Sequence, residues 1–306
     1  MKKMKVSTST NNILRRFGTQ KTFDIIADAG FEGVDFGMFH LRPDTEFLEW
    51  DNSELREYFQ GIKKTADEHH LEICQCHAPF PLKVYDPKRD DMLLNCAIRS
   101  IYASAYMECK YIVVHPAMNK SFIYGMNYEE CRRTNFEFYG KMVQALRETD
   151  VVMCIENMFA SDPETGKRIP TTCSRVEWMI DFIDGLNEKY GDGLFAACLD
   201  TGHALISGSG PAHMQTELGS RTRILHVQDN DGLYDMHQAP GRGKTDWRKL
   251  IAALRATNYD GTFNFETDEF YNQWSDDELY GENVCRAAAA LLYSIGRSFA
   301  DMITAV

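Results

Sequence analysis

Eight short apolar runs, separated by stretches of helical period, are the feature of this 306-residue chain that most restricts its fold. The runs are rich in β-branched and aromatic residues and are apolar almost throughout, which is typical of parallel strands buried on both faces. The predicted strands occupy residues 4–10, 33–37, 71–77, 111–115, 151–156, 194–200, 223–228 and 261–266.

Amphipathic stretches between the runs predict the connecting helices. One is expected to begin at Ser53 as its N-cap, with Leu55, Phe59 and Ile62 turned inwards. Gly30 is expected to end the first helix as its C′ residue. The predicted helices other than the one at Ser53 occupy residues 19–29, 90–107, 128–147, 174–190 and 247–257.

This alternation of strands and helices predicts an α/β fold, namely a (β/α)8 TIM barrel formed by a single domain over residues 1–306. No linker or compositional shift divides the chain. The alternative is a doubly wound open sheet. It is disfavoured because no glycine-rich phosphate loop follows the first run.

Charge and composition narrow the classes of function. The 33 basic and 45 acidic residues give a formal net charge of −12, which argues against nucleic-acid and anionic-membrane binding, because both need a basic face. No apolar run approaches the roughly 18 residues of a membrane span, and no apolar signal core follows the first residues. The nine cysteines include no Cys-x-x-Cys pair. We therefore expect a cytoplasmic protein with reduced thiols.

Ionisable residues are concentrated where the predicted strands end. In a barrel these ends meet at one mouth, where the active sites of such proteins lie. His77 and His115 end the third and fourth runs, His203 follows the sixth, and Asp235 and His237 lie in the loop after the seventh. Runs five to eight also carry Glu156, Asp200, His226 and Glu266. The remaining histidines are predicted to lie on the surface: His40, His69, His70 and His213.

The three strand-end carboxylates, Glu156, Asp200 and Glu266, follow runs without other charges. Brought together without a cation, they would repel one another and raise each other's pKa. A divalent metal ion held by these carboxylates and by the imidazole of His226 removes that conflict. The mixed oxygen and nitrogen set suits Mn²⁺ or Zn²⁺, with Co²⁺ and Mg²⁺ as alternatives.

The ordered motifs at the strand ends resemble a known group, the xylose isomerase-like TIM-barrel superfamily. It contains sugar isomerases and epimerases as well as AP endonucleases of the endonuclease IV type. The resemblance covers strands three to eight, which is most of the chain. It is carried by His77-Ala-Pro-Phe, Val-Val-His115-Pro, Ile-Glu156-Asn, Leu-Asp200-Thr-Gly-His203-Ala, His226-Val-Gln-Asp and the strand of Glu266.

The epimerase branch of this family implies specific roles. Glu156, Asp200, His226 and Glu266 would hold the metal ion, and His203 would contact the substrate. A divalent ion would act as a Lewis acid on a sugar or sugar phosphate. Glu156 and Glu266 would be the catalytic pair that removes and returns the proton through an enediolate. We expect His77 and His115 to contact the substrate as well.

The endonuclease branch uses three zinc ions, which it holds with the same four residues and five more. The matching positions are filled here by His77, His115, His203, Asp235 and His237 as additional metal ligands. The acidic composition shows no basic DNA track, and Phe80-Pro-Leu stands where a nuclease is expected to carry a tyrosine loop. About one ion per chain would favour sugar chemistry and three would favour the nuclease, although metal content alone does not decide between them.

Several alternatives stay open at this point. The same barrel and ion could carry out a dehydration, a lyase reaction or C-glycoside cleavage, since each begins with proton removal next to a carbonyl. A non-catalytic sugar-binding barrel is the third class. Arg242 departs from the Gly-Glu-Gly of the family and either grips a substrate group or is a solvated loop residue. Trp247 is expected in the core at the start of a helix. Homo-oligomerisation is also left open.

Overall fold

The computed structural model describes residues 3–117, 128–162, 165–276 and 279–305. Eight parallel strands form one sheet in the spatial order β10-β1-β2-β3-β4-β5-β8-β9. The strands β9 and β10 close the barrel, because the Val227 amide donates to the Asn264 carbonyl (2.8 Å) and the Glu266 amide donates to the Val227 carbonyl (3.0 Å). The barrel strands are β1 Val6–Ser9, β2 Gly33–Gly37, β3 Glu72–His77, β4 Tyr111–Val113, β5 Val152–Glu156, β8 Phe195–Asp200, β9 Thr222–His226 and β10 Phe263–Phe265.

Helices cover the outside of the barrel, and a two-stranded antiparallel hairpin, β6 Ala160–Ser161 with β7 Arg168–Ile169, stands above it. Short 3₁₀ turns lie at Glu46–Leu48 and Gly219–Arg221. The α-helices are α1 Asn11–Asp28, α2 Asn52–Glu68, α3 Pro87–Tyr106, α4 Tyr128–Gly140, α5 Val143–Thr149, α6 Val176–Tyr190, α7 Thr201–Ile206, α8 Pro211–Leu218, α9 Trp247–Ala256, α10 Asp268–Asn272 and α11 Gly281–Thr304.

Each of the eight predicted runs coincides with one barrel strand to within a few residues, so the prediction of a (β/α)8 TIM barrel is confirmed. The alternative of an open doubly wound sheet was wrong. Its strand order would leave two free edges, whereas β9 and β10 pair here. The barrel strands are buried almost throughout, as expected of strands covered by helices on one face and filled by side chains on the other.

Two helix starts differ from the sequence prediction. The first helix begins at Asn11 rather than at residue 19, and it is broken at Gly18, whose φ of +76° lies in the left-handed region that favours glycine. The second helix is capped by Asp51, so the prediction of Ser53 as the N-cap was wrong. The Asp51 side chain accepts the amide protons of Ser53 and Glu54, and the Glu54 carboxylate accepts the Asp51 amide in a reciprocal capping box.

The helix predicted over residues 128–147 divides into α4 and α5. Gly140 ends α4 where the hydroxyl of Tyr190 packs closely, since a Cβ at this position would lie 2.3 Å from that oxygen. Three short helices, α7, α8 and α10, and the β6–β7 hairpin were not predicted. Their segments are too short for a reliable periodic pattern.

All nine cysteines are free and buried, as expected of reduced thiols. Three of the four histidines predicted at the surface are exposed, whereas His69 is largely covered and lies 2.7 Å from the carboxylate of Asp24. Among the described residues, no helix is both long enough and apolar enough to cross a bilayer.

Candidate metal centre

Four strand-end side chains meet at the carboxyl end of the barrel. Glu156 ends β5, Asp200 ends β8, His226 ends β9, and Glu266 follows β10 directly. Each offers one ligand atom, and these atoms all lie within 4.8 Å of one another. All four side chains are buried. The parallel register brings them together because every barrel strand ends at the same face.

The imidazole of His226 lies between two of the carboxylates. Its Nδ1 atom is 3.2 Å from Glu156 Oε1 and 3.3 Å from Glu266 Oε2. Burial raises the pKa of the Glu266 carboxyl to about 8, although His226 and His237 oppose the shift. Burial also raises the pKa of Asp200. Two of the three carboxyls therefore resist ionisation unless positive charge lies close by.

Glu156 is the most heavily contacted member of this set. Burial raises its pKa, but the charges of His226 and His115 outweigh burial and hold the pKa well below its usual range. His115 Nε2 lies 2.8 Å from Glu156 Oε2, and His77 Nε2 lies 3.7 Å from the same oxygen. His203 Nδ1 lies 3.3 Å from the other oxygen. Together with His226, these three imidazoles surround one carboxylate.

Three further residues of metal-ligating type lie next to these side chains: His203, Asp235 and His237. Asp235 Oδ2 is 2.9 Å from His237 Nε2 and 3.4 Å from His203 Nε2. Burial lowers the pKa of His237, but Asp235 and Glu266 raise it to about 10. The structure thus brings all nine strand-end and loop residues singled out in the sequence to one mouth.

A cavity of about 320 Å³ opens directly onto this cluster. We call this space the inner cavity. Its polar wall is formed by His77, His115, Glu156, His203, Asp235, His237 and Glu266. Phe80 and Phe159 form its apolar side: the Phe80 ring stacks on His115 with centroids 4.8 Å apart, and the Phe159 ring lies 5.0 Å from His203. A small, polar-floored cavity with aromatic walls is suited to a small polyhydroxy ligand.

Arg242 is exposed in the loop after β9 and does not line the inner cavity. The loop that carries Arg242 is held away from the inner cavity by hydrogen bonds to Asp229. Its buried carboxylate accepts the backbone amides of Gly241 (2.9 Å), Gly243 (3.0 Å) and Thr245 (3.0 Å). Trp247 begins α9 as expected, and its indole Nε1 also donates to Asp229 (3.2 Å).

We predict that Asp229→Asn lowers the free energy of unfolding by about 3 kcal/mol, because an amide would turn an NH₂ group towards buried donors. Urea unfolding of the purified protein measures the change. Asp231→Asn is the matched control two residues away. The half-buried Asp231 accepts the Leu233 and Tyr234 amides through one oxygen, which an asparagine can also do. Equal stability of the two variants would contradict the role given to Asp229.

Sequence reasoning missed Asp35, which lies inside β2 beneath the cluster. Its Oδ2 atom is 3.2 Å from His226 Nε2, on the side of the ring opposite the carboxylates. Gln75 Nε2 (2.9 Å) and Asn264 Nδ2 (3.3 Å) donate to the same oxygen. This arrangement favours a proton on Nε2 and leaves the Nδ1 lone pair directed at the ligand set. The one signal in the sequence was an acidic residue within an apolar run.

We predict that Asp35→Asn raises the dissociation constant for Zn²⁺ by about 10- to 100-fold, because the carboxylate that orients a ligating histidine strengthens its metal binding. Isothermal titration calorimetry on the metal-stripped protein measures the constant. Asp24→Asn is the matched control, since Asp24 makes an equivalent pair with His69 at 2.7 Å on the outside of the barrel. Equal affinity in both variants would show that Asp35 does not orient His226.

A parallel eight-stranded barrel with a carboxylate and histidine cluster at its mouth defines the class of this protein. The chain belongs to the xylose isomerase-like TIM barrel family, whose sequence model matches residues 23–289. An uncharacterized protein of Methanocaldococcus jannaschii is 23% identical over 271 residues, or 87% of this chain and 89% of that protein. A probable endonuclease 4 of Mycoplasma mobile is 22% identical over 203 residues, or 62% of this chain and 65% of that protein.

Solved structures with the same fold include two that are described as epimerases or epimerase-like. A D-tagatose 3-epimerase-like protein superposes with a TM-score of 0.71 at 17% identity, covering 98% of both chains. A 3-keto-D-glucoside 4-epimerase of E. coli gives 0.70 at 18% identity, covering 95% of this chain and all of that one. The zinc-containing IolI protein gives 0.71 at 15% identity, covering 99% and 100% of the two chains. At these identities the likeness establishes the fold.

Proposed function

We propose that this protein is a divalent-metal-dependent sugar isomerase or epimerase that moves a proton on the carbon next to a carbonyl group. The observation that carries the proposal is the convergence of Glu156, Asp200, His226 and Glu266, with ligand atoms within 4.8 Å, beneath a cavity of sugar size. The likeness to sugar epimerases of the same fold supports it.

The residues present fit a metal ion. Three buried carboxylates and one imidazole nitrogen form a donor set that Mn²⁺ and Zn²⁺ accept, and none of the four has the thiolate character that would select a softer ion. A bound ion would supply Lewis acidity at the substrate carbonyl and the adjacent hydroxyl. The zinc described for the IolI protein supports this assignment.

Within this proposal, the chain's own residues handle the proton. Glu156 and Glu266 approach the cavity from β5 and from the end of β10, with β8 and β9 between them. One carboxylate removes the proton from the carbon and the other returns it, passing through an enediolate. His203 lies at the wall and holds a substrate oxygen, and His77 and His115 bind further hydroxyls. The aromatic wall keeps water away from the reacting carbon.

The test is a conversion assay with metal-stripped protein to which Mn²⁺ or Zn²⁺ is added back. Ketoses, inososes and sugar phosphates are incubated with it, and the products are identified by chromatography. The proposal expects an isomer or epimer of unchanged mass to form only when metal is present. A product lighter by one water, or cleavage at a glycosidic carbon, would instead assign the protein to the lyase alternatives.

A second candidate, an AP endonuclease, is favoured by one observation. Five further residues that could ligate metal lie around the four-residue set, as a multinuclear zinc site would require: His77, His115, His203, Asp235 and His237. The sequence similarity to a probable endonuclease 4 also supports the endonuclease candidate. Incubation with a duplex oligonucleotide containing one abasic site tests this candidate, and cleavage that requires zinc would favour it over sugar chemistry.

A further inference from the structure

A second and larger cavity, which we call the outer groove, adjoins the inner cavity. It has a volume of about 870 Å³ and lies over the ends of β1, β2 and β10. Phe80, His237 and Glu266 line both spaces, so the outer groove adjoins the inner cavity beside one of the two proposed catalytic glutamates. Pockets for small molecules typically measure about 300–1,000 Å³. The inner cavity alone is at the lower end of this range, and the outer groove adds room for a second unit.

One side of the outer groove is aromatic. Phe39 and Phe80 meet edge to face with ring centroids 5.3 Å apart, and Tyr58 packs near them against His40 at 6.3 Å. Phe80 and Tyr58 are 52% and 38% exposed, which is unusual for large aromatic side chains beside a buried polar cluster. An exposed aromatic face offers a platform for the C–H face of a sugar ring.

The lining of the outer groove also contains charged side chains of both signs. Arg15 and Arg42 supply two positive charges, and Asp268 and Glu269 supply two negative charges. Among the described residues, no carboxylate lies within 4 Å of either guanidinium group. Arg42 donates its Nε proton to the Phe39 carbonyl (3.0 Å), which leaves its terminal NH₂ groups to donate to a ligand, and Arg15 is exposed. A phosphate subsite would need net positive charge. An aryl group would leave these polar side chains desolvated and unpaired. Vicinal hydroxyl groups satisfy both signs of charge.

We propose that the substrate carries a second, uncharged sugar unit that binds in the outer groove, so that the protein acts on a glycosylated ketose rather than on a free monosaccharide or a sugar phosphate. This inference rests on the proposed function, because the reacting unit is assigned to the inner cavity. The second ring stacks on Phe39 and Phe80, and Arg15 and Arg42 donate hydrogen bonds to its hydroxyls.

The experiment compares three probes that share one reacting unit: D-fructose, D-fructose 6-phosphate and isomaltulose, which is fructose with a glucose joined at O6. Deuterium entry from D₂O beside the carbonyl is followed by NMR with the metal-loaded protein. We expect kcat/KM for isomaltulose to exceed that for fructose by about tenfold or more, the amount that one or two hydrogen bonds to charged groups provide. The phosphate is expected to be the poorest probe.

The double variant Arg15→Ala/Arg42→Ala tests the two arginines of the groove. It is expected to lower kcat/KM for isomaltulose about tenfold while fructose stays within about twofold. Arg248→Ala is the matched control, an exposed arginine on α9 that lines neither cavity. Equal exchange of fructose and isomaltulose, or preference for the phosphate, would overturn this inference and leave the proposed function standing. No exchange with any probe would overturn the proposed function and this inference with it.

Discussion

Glu156→Gln and Glu266→Gln are each expected to lower turnover about a thousandfold, since general acid–base groups contribute roughly 10²- to 10⁴-fold and neither glutamine can accept the proton. Both side chains are buried at the barrel mouth and contact His226 from different strands. A product assay with the metal-loaded variants and a saturating ketose measures the loss.

Because the same two carboxylates are proposed metal ligands, metal content has to be measured alongside turnover. Glutamine keeps one carbonyl oxygen at each position, so partial metal occupancy is expected. Glu137→Gln is the matched control: Glu137 is exposed on α4, far from the ligand groups at the mouth, and pairs with Arg133 at 3.7 Å. If either catalytic variant kept near-wild-type turnover, the proposal that two glutamates transfer the proton would be contradicted.

Removing the metal is expected to have the second large effect. Treatment with a chelator should reduce sugar turnover to background, and adding Mn²⁺ or Zn²⁺ should restore it. Metal at 100 times its dissociation constant should also raise the free energy of unfolding by about 2.7 kcal/mol, because it binds the folded state preferentially. Thermal unfolding with and without metal measures this second effect independently of any substrate.

The variant Asp200→Asn distinguishes metal binding at the proposed four-residue site from adventitious metal binding elsewhere. Asp200 belongs to the buried four-residue set, so this substitution removes a ligand without removing either proposed proton carrier. It should lose most of the metal-dependent stabilisation. His213→Ala on α8 is the control, because this histidine is exposed and belongs to none of the ligand groups at the mouth. Full metal stabilisation in the Asp200 variant would mean that the ion binds elsewhere.

The barrel and its mouth could be predicted from the sequence because both depend on local patterns. A strand such as residues 152–156 is buried on both faces and therefore reads as a continuous apolar run. The charged residue that ends it, Glu156, then falls at the mouth in any parallel barrel. The same reasoning placed Asp200, His226 and Glu266 together, as the structure does.

Contacts between distant strands could not be predicted in this way. Asp35 belongs to β2, and only the closed barrel shows that it lies under His226, 191 positions later in the chain. Arg242 lies in a loop whose path depends on Asp229. The buried carboxylate of Asp229 accepts backbone amide protons from residues 12 to 16 positions further along the chain. The outer groove likewise joins side chains from both ends of the chain, such as Arg15 and Glu269.

The entry of solvent deuterium at a substrate carbon measures the proposed proton transfer next to a carbonyl. Mn²⁺-loaded protein is incubated in D₂O with a mixed panel of ketoses, inososes and sugar phosphates, and NMR identifies any carbon that gains deuterium. We predict deuterium at a carbon adjacent to the carbonyl, with the signal lost in Glu156→Gln and in metal-free protein. Conversion of a sugar without deuterium entry in any product, or no entry on any compound while abasic DNA is cleaved, would contradict the proposed transfer.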